Sequence, residues 1–312
     1  MDSAAIAVTG LRKAYGDKAV LDGIDFEVAP GTVFSMLGPN GAGKTTTVNV
    51  LTTLLAPDAG TVRIAGHDVR TQIRQVRATI GVTGQFAAVD ELLTGRENLR
   101  LMADLKRVKA ADAVISELLE RFELTDAAGK LISTYSGGMR RKLDLAMTLV
   151  GKPSIIFLDE PTTGLDPRSR RTMWQIVREL VAEGTTVFLT TQYLDEADQL
   201  ADRLVVLDHG RLVAQGTPEE LKRQIPGTHV RLRFADDRRL ASALTILPGA
   251  VRDEQDLTAR VPGDGGSRSL RDLLDRLAEH ALDAEEFSVH TPDLDDVFLA
   301  LTGHATTEAN AE

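Results

Sequence analysis

The stretch TVFSMLGPNGAGKTT (32–46) constrains this chain more than any other. Gly38, Pro39, Asn40, Gly41, Ala42, Gly43, Lys44 and Thr45 fit the pattern G-x-x-x-x-G-K-[ST], between an apolar strand-like run and a helix-compatible run. Glycines let a backbone wrap closely enough for its N–H groups to point at phosphate oxygens, and the following helix N-terminus adds positive potential. Lys44 would then reach the terminal phosphates and the Thr45 hydroxyl would bind Mg²⁺, with Thr46 beside it in the nucleotide-binding set. A glycine-rich turn without a ligand is the alternative, and the flanking strand and helix weigh against it. The motif implies a nucleoside triphosphate without saying what its energy is for.

A strand–loop–helix of this kind calls for an α/β sheet, and residues 1–224 read that way throughout. PSIIFLDE (153–160) and TTVFLTTQ (185–192) are short, nearly continuous apolar runs, as in parallel strands buried on both faces. Helical apolar spacing recurs over 107–123 and 168–183. RLVVLDHGRLVAQG (203–216) reads as a hairpin turning at Asp208-His209-Gly210. KRQIPGTH (222–229) breaks the pattern and reads as a linker. Residues 230–303 then read as strand, helix, strand, strand, helix, strand, helix, a small α+β module. ATTEANAE (305–312) reads as a disordered tail.

Two further apolar strands end in polar residues, and open parallel sheets bind ligands beyond such strand ends. Asp159 could hold the Mg²⁺ that Thr45 shares. Glu160, pointing another way, could polarise an attacking water or merely cap the next stretch of chain. Ser136-Gly137-Gly138 precedes Met139, Leu143, Ala146 and Val150, one face of a helix with Ser136 as its N-cap. The two glycines leave that helix end bare, so it is a second candidate anion site or simply a capped helix.

The loop GPNGAGKTT, Gln85 in VTGQF, TYSGGMRRKL, LDEPTTGLDP and Gln192 occur in the order of an ATP-binding-cassette (ABC) ATPase, a resemblance covering residues 5–224. VTGQFAAVDELLTGRENL, STYSGGMRRKLDLAM, LDEPTTGLDPRSR, TTQYLDEADQLADR and PDLDDVFLALTGH resemble, more narrowly, the ATP-binding subunits of daunorubicin/doxorubicin-resistance exporters. The resemblance implies a P-loop NTPase of the ABC ATPase type over 1–224, with a mostly parallel sheet core, N-terminal antiparallel strands and a helical subdomain. A small accessory α+β domain would occupy 228–304, and 305–312 would be tail.

The resemblance also implies ATP and Mg²⁺, and a head-to-tail homodimer with each ATP between one chain's P-loop and the other's signature helix. Tyr15 would stack on adenine, unless it is a strand-packing aromatic. Gln85 would touch Mg²⁺ or the attacking water and relay to a membrane permease docking near 85–100. Ser136, Gly137 and Gly138 would bind the opposing γ-phosphate, and Asp166 would cross the dimer interface. Met139 stands where many cassettes carry Gln. Gln192 stands where many carry His; its amide can donate a hydrogen bond but cannot take up a proton. That favours Gln192 as a positioning sensor with Glu160 as base, a polar strand cap being the alternative.

The expected function is therefore the ATPase of a two-component exporter of a drug-like, polyketide or lipid substrate. Its expected place is the cytoplasmic face of the cell membrane, held there through the permease. No run approaches 18 apolar residues and the N-terminus lacks a signal pattern, so another chain would supply the membrane spans. ABC ATPases acting on DNA or ribosomes are the alternative class, and importer ATPases a third. Lys44 and Ser136 lie only 92 positions apart with no sustained heptads, and one nucleotide loop is present. A net charge of −10 argues against a nucleic-acid partner. With no cysteine, thiolate chemistry is excluded.

Overall fold

The computed structural model describes residues 4–84, 88–224, 229–253, 257–263, 266–290 and 292–303. By its internal contacts the chain divides into two units, residues 1–218 and 219–312.

The first unit opens with an antiparallel pair, β1 (Ile6–Tyr15) and β2 (Lys18–Val28), before β3 (Val33–Leu37) leads through the glycine loop into α1 (Lys44–Leu51). β4 (Ala59–Ile64) and β5 (His67–Asp68) return to β1, giving a sheet of order β2-β1-β4-β5. Next come α2 (Ile73–Thr79), β6 (Ile80–Thr83), α3 (Gly95–Leu105), α4 (Ala111–Arg121) and α5 (Gly137–Leu149). β7 (Ile155–Asp159), α6 (Pro167–Ala182), β8 (Thr186–Thr191), α7 (Leu194–Leu200), β9 (Arg203–Asp208) and β10 (Arg211–Gly216) complete the unit. The second sheet has the order β10-β9-β3-β8-β7-β6, parallel except for the β9–β10 hairpin.

The apolar runs lack alternation because both faces of this sheet are covered. Ile155 and Phe157 of β7 pack with Phe34, Met36 and Phe188 against the β1 sheet. Ile156 and Leu158 pack with Val187 and Leu189 beneath the helices α3 to α6. Phe188 lies at the centre of an aromatic cluster, its ring 5.6 Å from Phe34 and 5.5 Å from Phe157. Each such pair adds about 0.5–1.5 kcal/mol beyond its buried area.

The segment expected to be helical over 107–123 is helical only from Ala111 to Arg121. Arg107 and Ala110 have φ of 53° and 54°, left-handed backbone that breaks the path between α3 and α4. The 203–216 hairpin turns through His209 and Gly210, both at positive φ, the geometry that matches the twist of paired strands.

In the second unit, α8 (Pro218–Gln224) begins at the boundary and takes in Lys222–Gln224 from the segment read as linker. Residues 225–228 and the tail 304–312 lie outside the described residues. β11 (His229–Arg233), α9 (Asp237–Ile246), β12 (Val251–Arg252), β13 (Thr258–Pro262), α10 (Ser267–Glu279), β14 (Glu286–His290) and α11 (Leu294–Thr302) come in the expected order. Their antiparallel sheet, β12-β13-β11-β14, buries Val230, Leu232, Ala259 and Val261 against Leu240, Ala243, Leu273 and Leu277. Among the described residues of the chain, no helix is long and apolar enough to cross a membrane.

Candidate nucleotide site

β3, β8 and β7 are adjacent and parallel, so the chain leaves all three at one edge of the sheet. Backbone bonds tie the exits together: the Gly38 N–H donates to Thr191 O at 3.3 Å, and the Glu160 N–H donates to Thr190 O at 3.1 Å. The glycine loop, the Asp159-Glu160 pair and Gln192 therefore share one edge.

Two glycines of the loop are there for space. A Cβ on Gly38 would lie 2.3 Å from Leu207 O, and one on Gly43 would lie 2.8 Å from Leu21 Cδ2. Gly43 also has φ of 116°, which L-side chains rarely adopt. It is the N-cap of α1 and no side chain caps that end, leaving the first-turn N–H groups for a ligand. Asn40, Gly41 and Thr45 are exposed, whereas Lys44 is buried. The Lys44 ammonium donates to Gly38 O at 2.8 Å and Pro39 O at 3.2 Å, and pairs with Glu160 Oε1 at 3.1 Å.

Asp159 is buried at the end of β7, and its Oδ1 accepts a short hydrogen bond from the Thr190 hydroxyl. Glu160, next in the chain, has φ of 48°. A left-handed non-glycine residue costs on the order of 1–3 kcal/mol and persists only where its surroundings hold it. The turn sends its carboxylate to Lys44 and to the Thr163 hydroxyl, which donates at 3.3 Å. Glu160 is thus in contact with the loop lysine rather than acting as a helix cap. Gln192 comes directly after β8 and is half-buried. Tyr15 ends β1 and is 52% exposed, so it is not a core aromatic; Lys13 Nζ lies 5.9 Å from its ring centre.

The second candidate anion site is built differently. Ser136 caps α5, its Oγ accepting the Met139 N–H at 3.3 Å, and Ser136 and Gly137 are exposed. A Cβ on Gly138 would lie 2.8 Å from Ser169 Oγ, in the first turn of α6. Asp166 is the N-cap of α6, accepting from the N–H groups of Arg168 and Ser169 and from the Ser169 hydroxyl. That hydroxyl first, then the backbone, holds its carboxyl below the usual range. Among the described residues no hydrogen bond or ion pair joins Ser136–Gly138 or Asp166 to the glycine loop. Gln85 lies outside the described residues, which resume at Ala88.

Sequence reasoning passed over Arg141 and Asp144. Both are buried on α5, Nη1 of Arg141 lying 3.4 Å from Asp144 Oδ2. Arg141 also donates to Pro161 O at 3.0 Å, Asp159 O at 3.2 Å and Gly84 O at 2.7 Å. Asp144 Oδ1 accepts the Ala88 N–H at 3.0 Å. Burial raises the Asp144 carboxyl and lowers Arg141, each opposed by the partner's charge. Removing one partner would strand a buried charge, at about 3–5 kcal/mol. In the sequence, an i,i+3 ion pair looks like ordinary surface decoration. Glu196 of α7 was passed over too. It is fully buried, takes the Trp174 indole N–H at 3.1 Å, and is pushed up by burial.

Among the described residues no group of three or more His, Cys, Asp or Glu could hold a metal ion. Besides Glu160, which pairs with Lys44, this edge offers the buried carboxylate of Asp159 and the exposed hydroxyl residue Thr45. That set fits Mg²⁺, which binds through one or two carboxylates plus substrate phosphates and water, and does not fit a closed protein cage.

Comparison with known proteins extends the picture to both units. A family model described as ABC transporter matches residues 21–163, and one described as ATP-binding protein DrrA1-3-like, C-terminal domain, matches 216–302. The chain is 50% identical over 307 residues to the daunorubicin resistance ATP-binding protein DrrA3 of Streptomyces coeruleorubidus, covering 97% of each. It is 49% identical to the daunorubicin/doxorubicin resistance ATP-binding protein DrrA of Streptomyces peucetius, covering 99% of this chain and 95% of the other. The Nod factor export ATP-binding protein I of Paraburkholderia xenovorans is 40% identical, with 97% and 98% covered. A solved ATP-binding subunit of an ABC transporter superimposes with a TM-score of 0.65 at 29% identity, over 70% of this chain and 92% of that one. A dimeric ATP-binding cassette in a post-hydrolysis state, bound to ADP and Pi, superimposes with a TM-score of 0.63 at 25% identity, over 68% and 98%. Half identity across nearly the whole of both chains, reaching through the second unit as well as the first, places this chain among the ABC transporter ATP-binding proteins, as an ATP-hydrolysing cassette with a DrrA-like C-terminal domain.

Proposed function

We propose that this ATPase pairs head to tail with a second copy of itself and drives export of a drug-like, polyketide or lipid substrate through a separate membrane permease. It would work at the cytoplasmic face of the membrane. The observation that carries the pairing is the exposed, serine-capped end of α5. It has the form of an anion site yet, among the described residues, no hydrogen bond or ion pair joins it to the glycine loop of its own chain. A second copy turned about a two-fold axis would bring that end to the other chain's loop. The dimeric form of a solved relative supports this, and the names of the relatives support the substrate class.

In this reading the loop N–H groups and the N-terminus of α1 hold the triphosphate, and Tyr15 stacks on the base. Thr45 and Asp159, with Gln85, would hold Mg²⁺, which would neutralise charge on the phosphates. The phosphates draw the Lys44 ammonium away from Glu160, and the freed carboxylate takes a proton from the attacking water. Gln192 donates to the γ-phosphate and senses its presence. Ser136, Gly137 and Gly138 of the opposing copy close over the same phosphate, and Asp166 meets the interface.

The permease would dock on the segment around 85–100. Within its described part Leu92 is 85% exposed, and buried Asn98 fixes the loop by bonding Asp90 N, Asp90 O and Thr94 O. An exposed apolar knob on a pinned loop suits a short partner helix. The test is co-expression with a six-span permease encoded beside this chain, followed by affinity capture. Joint capture that is lost with Leu92→Asp is expected; capture of ribosomes or DNA in place of the permease would overturn the exporter reading.

A further inference from the structure

The guanidinium of Arg141 donates to the carbonyls on both sides of Glu160, those of Asp159 and Pro161. Between them Glu160 sits in left-handed backbone. A third donation, to Gly84 O, holds the chain just before Gln85, and Asp144 holds the Ala88 N–H just after the 85–87 segment. One buried pair thus grips the turn that carries Glu160 and also holds Gly84 and Ala88. Only arginine has a planar fork that can serve three carbonyls and a carboxylate at once.

The pair is not an economical way to stabilise a helix, because well-packed apolar residues of similar volume do as well or better at such positions. The same helix begins at Ser136, so α5 carries the candidate anion end and, one turn on, the grip. We propose that Arg141 and Asp144 form a positioning pair that sets the backbone of Glu160 for hydrolysis. Both side chains are buried on backbone partners, so each acts through another residue. The proposal rests on Glu160 as the base.

The variant that isolates it is Arg141→Met with Asp144→Leu, which removes both charges together and leaves no stranded ion. Thermal unfolding and ATP affinity should stay near wild type. The value of kcat should fall about 100-fold, the scale of a 1 Å misplacement, with KM within about threefold. Combined with Glu160→Gln, the double replacement should slow single-turnover hydrolysis by less than about threefold further, because groups acting through one residue are not additive. Arg141→Lys, which keeps the charge and loses the fork, supplies the same readout if the double variant does not fold; it too should lose kcat and keep KM.

Turnover within about threefold of wild type in the variant that folds would overturn the pair's role while Glu160→Gln remained inactive. An equal loss with and without Glu160→Gln would overturn it as well, placing the pair's effect elsewhere. Near-normal turnover in Glu160→Gln alone would instead overturn the base reading.

Discussion

Two helices of the first unit begin where a phosphate could sit, and they begin differently. The start of α1 is capped by a left-handed glycine with no side chain on its N–H groups, and a buried lysine is its first residue. The start of α5 is exposed, and its own serine already takes the Met139 N–H. The first is shaped by close packing against Leu21 and Leu207 of its own chain. The second offers donors and, among the described residues, has no hydrogen bond or ion pair to the glycine loop; in the proposed dimer its ligand is held by another copy. The difference fits the proposed reading, in which the first end grips a nucleotide and the second, from the opposing copy, checks for it.

Breaking the first end should do the most damage. Lys44→Ala should abolish turnover by removing the main cation on the β- and γ-phosphates; activity within about threefold of wild type would contradict the loop assignment. Ser136→Arg should be equally inactive for a different reason, a bulky side chain at the other end. If the ends belong to different chains' nucleotides, mixing these two inactive proteins should restore about a quarter of the activity, since half the dimers carry one intact site. An inactive mixture, with hetero-pairing demonstrated by differential tags, would defeat the head-to-tail arrangement.

Glu160→Gln should lower hydrolysis by about 10²–10⁴-fold with ATP binding intact, and should accumulate as an ATP-bound dimer on size exclusion. A monomer in saturating Mg-ATP would count against the checking role of α5. The smallest effect is expected at Gln192. Its replacement by Ala should slow hydrolysis by about 10–100-fold, roughly 1.4–2.8 kcal/mol, as for one hydrogen bond to a charged group. Unchanged activity would make the amide a strand cap. Gln192→His should keep much of the rate, because a ring nitrogen can donate the same bond. It should also add an inflection between about pH 6 and 7.5 that the glutamine enzyme lacks.

The parallel core was legible because its strands are buried on both faces and so read as unbroken apolar runs. The glycine loop was legible because close backbone approach admits no other residue at Gly38 and Gly43. The seven elements that follow α8 in the second unit were readable in order from polarity alone, since a sheet with one covered face alternates. What escaped was burial of charge. Arg141 and Asp144 look solvated in the sequence because their partners are the carbonyls of Gly84, Asp159 and Pro161 and the amide of Ala88, groups every residue carries. Glu196 escaped similarly, its indole partner lying 22 positions away. The helix 107–123 was overextended because apolar spacing does not register left-handed backbone at Arg107 and Ala110.

The double covering of β7 and β8 has a consequence for how the molecule breathes. Each has a hydrogen-bonded neighbour on both edges as well as a packed layer on both faces, so their amides should exchange with solvent only when the whole first unit opens. Asp159 therefore rides on backbone of the slowest-exchanging class. The start of α5, with exposed Ser136 and Gly137, has no such cover and can fray on its own. In the proposed dimer, protection would thus be graded across one site, with the Asp159 carboxylate held still while the Ser136 end of α5 opens and closes.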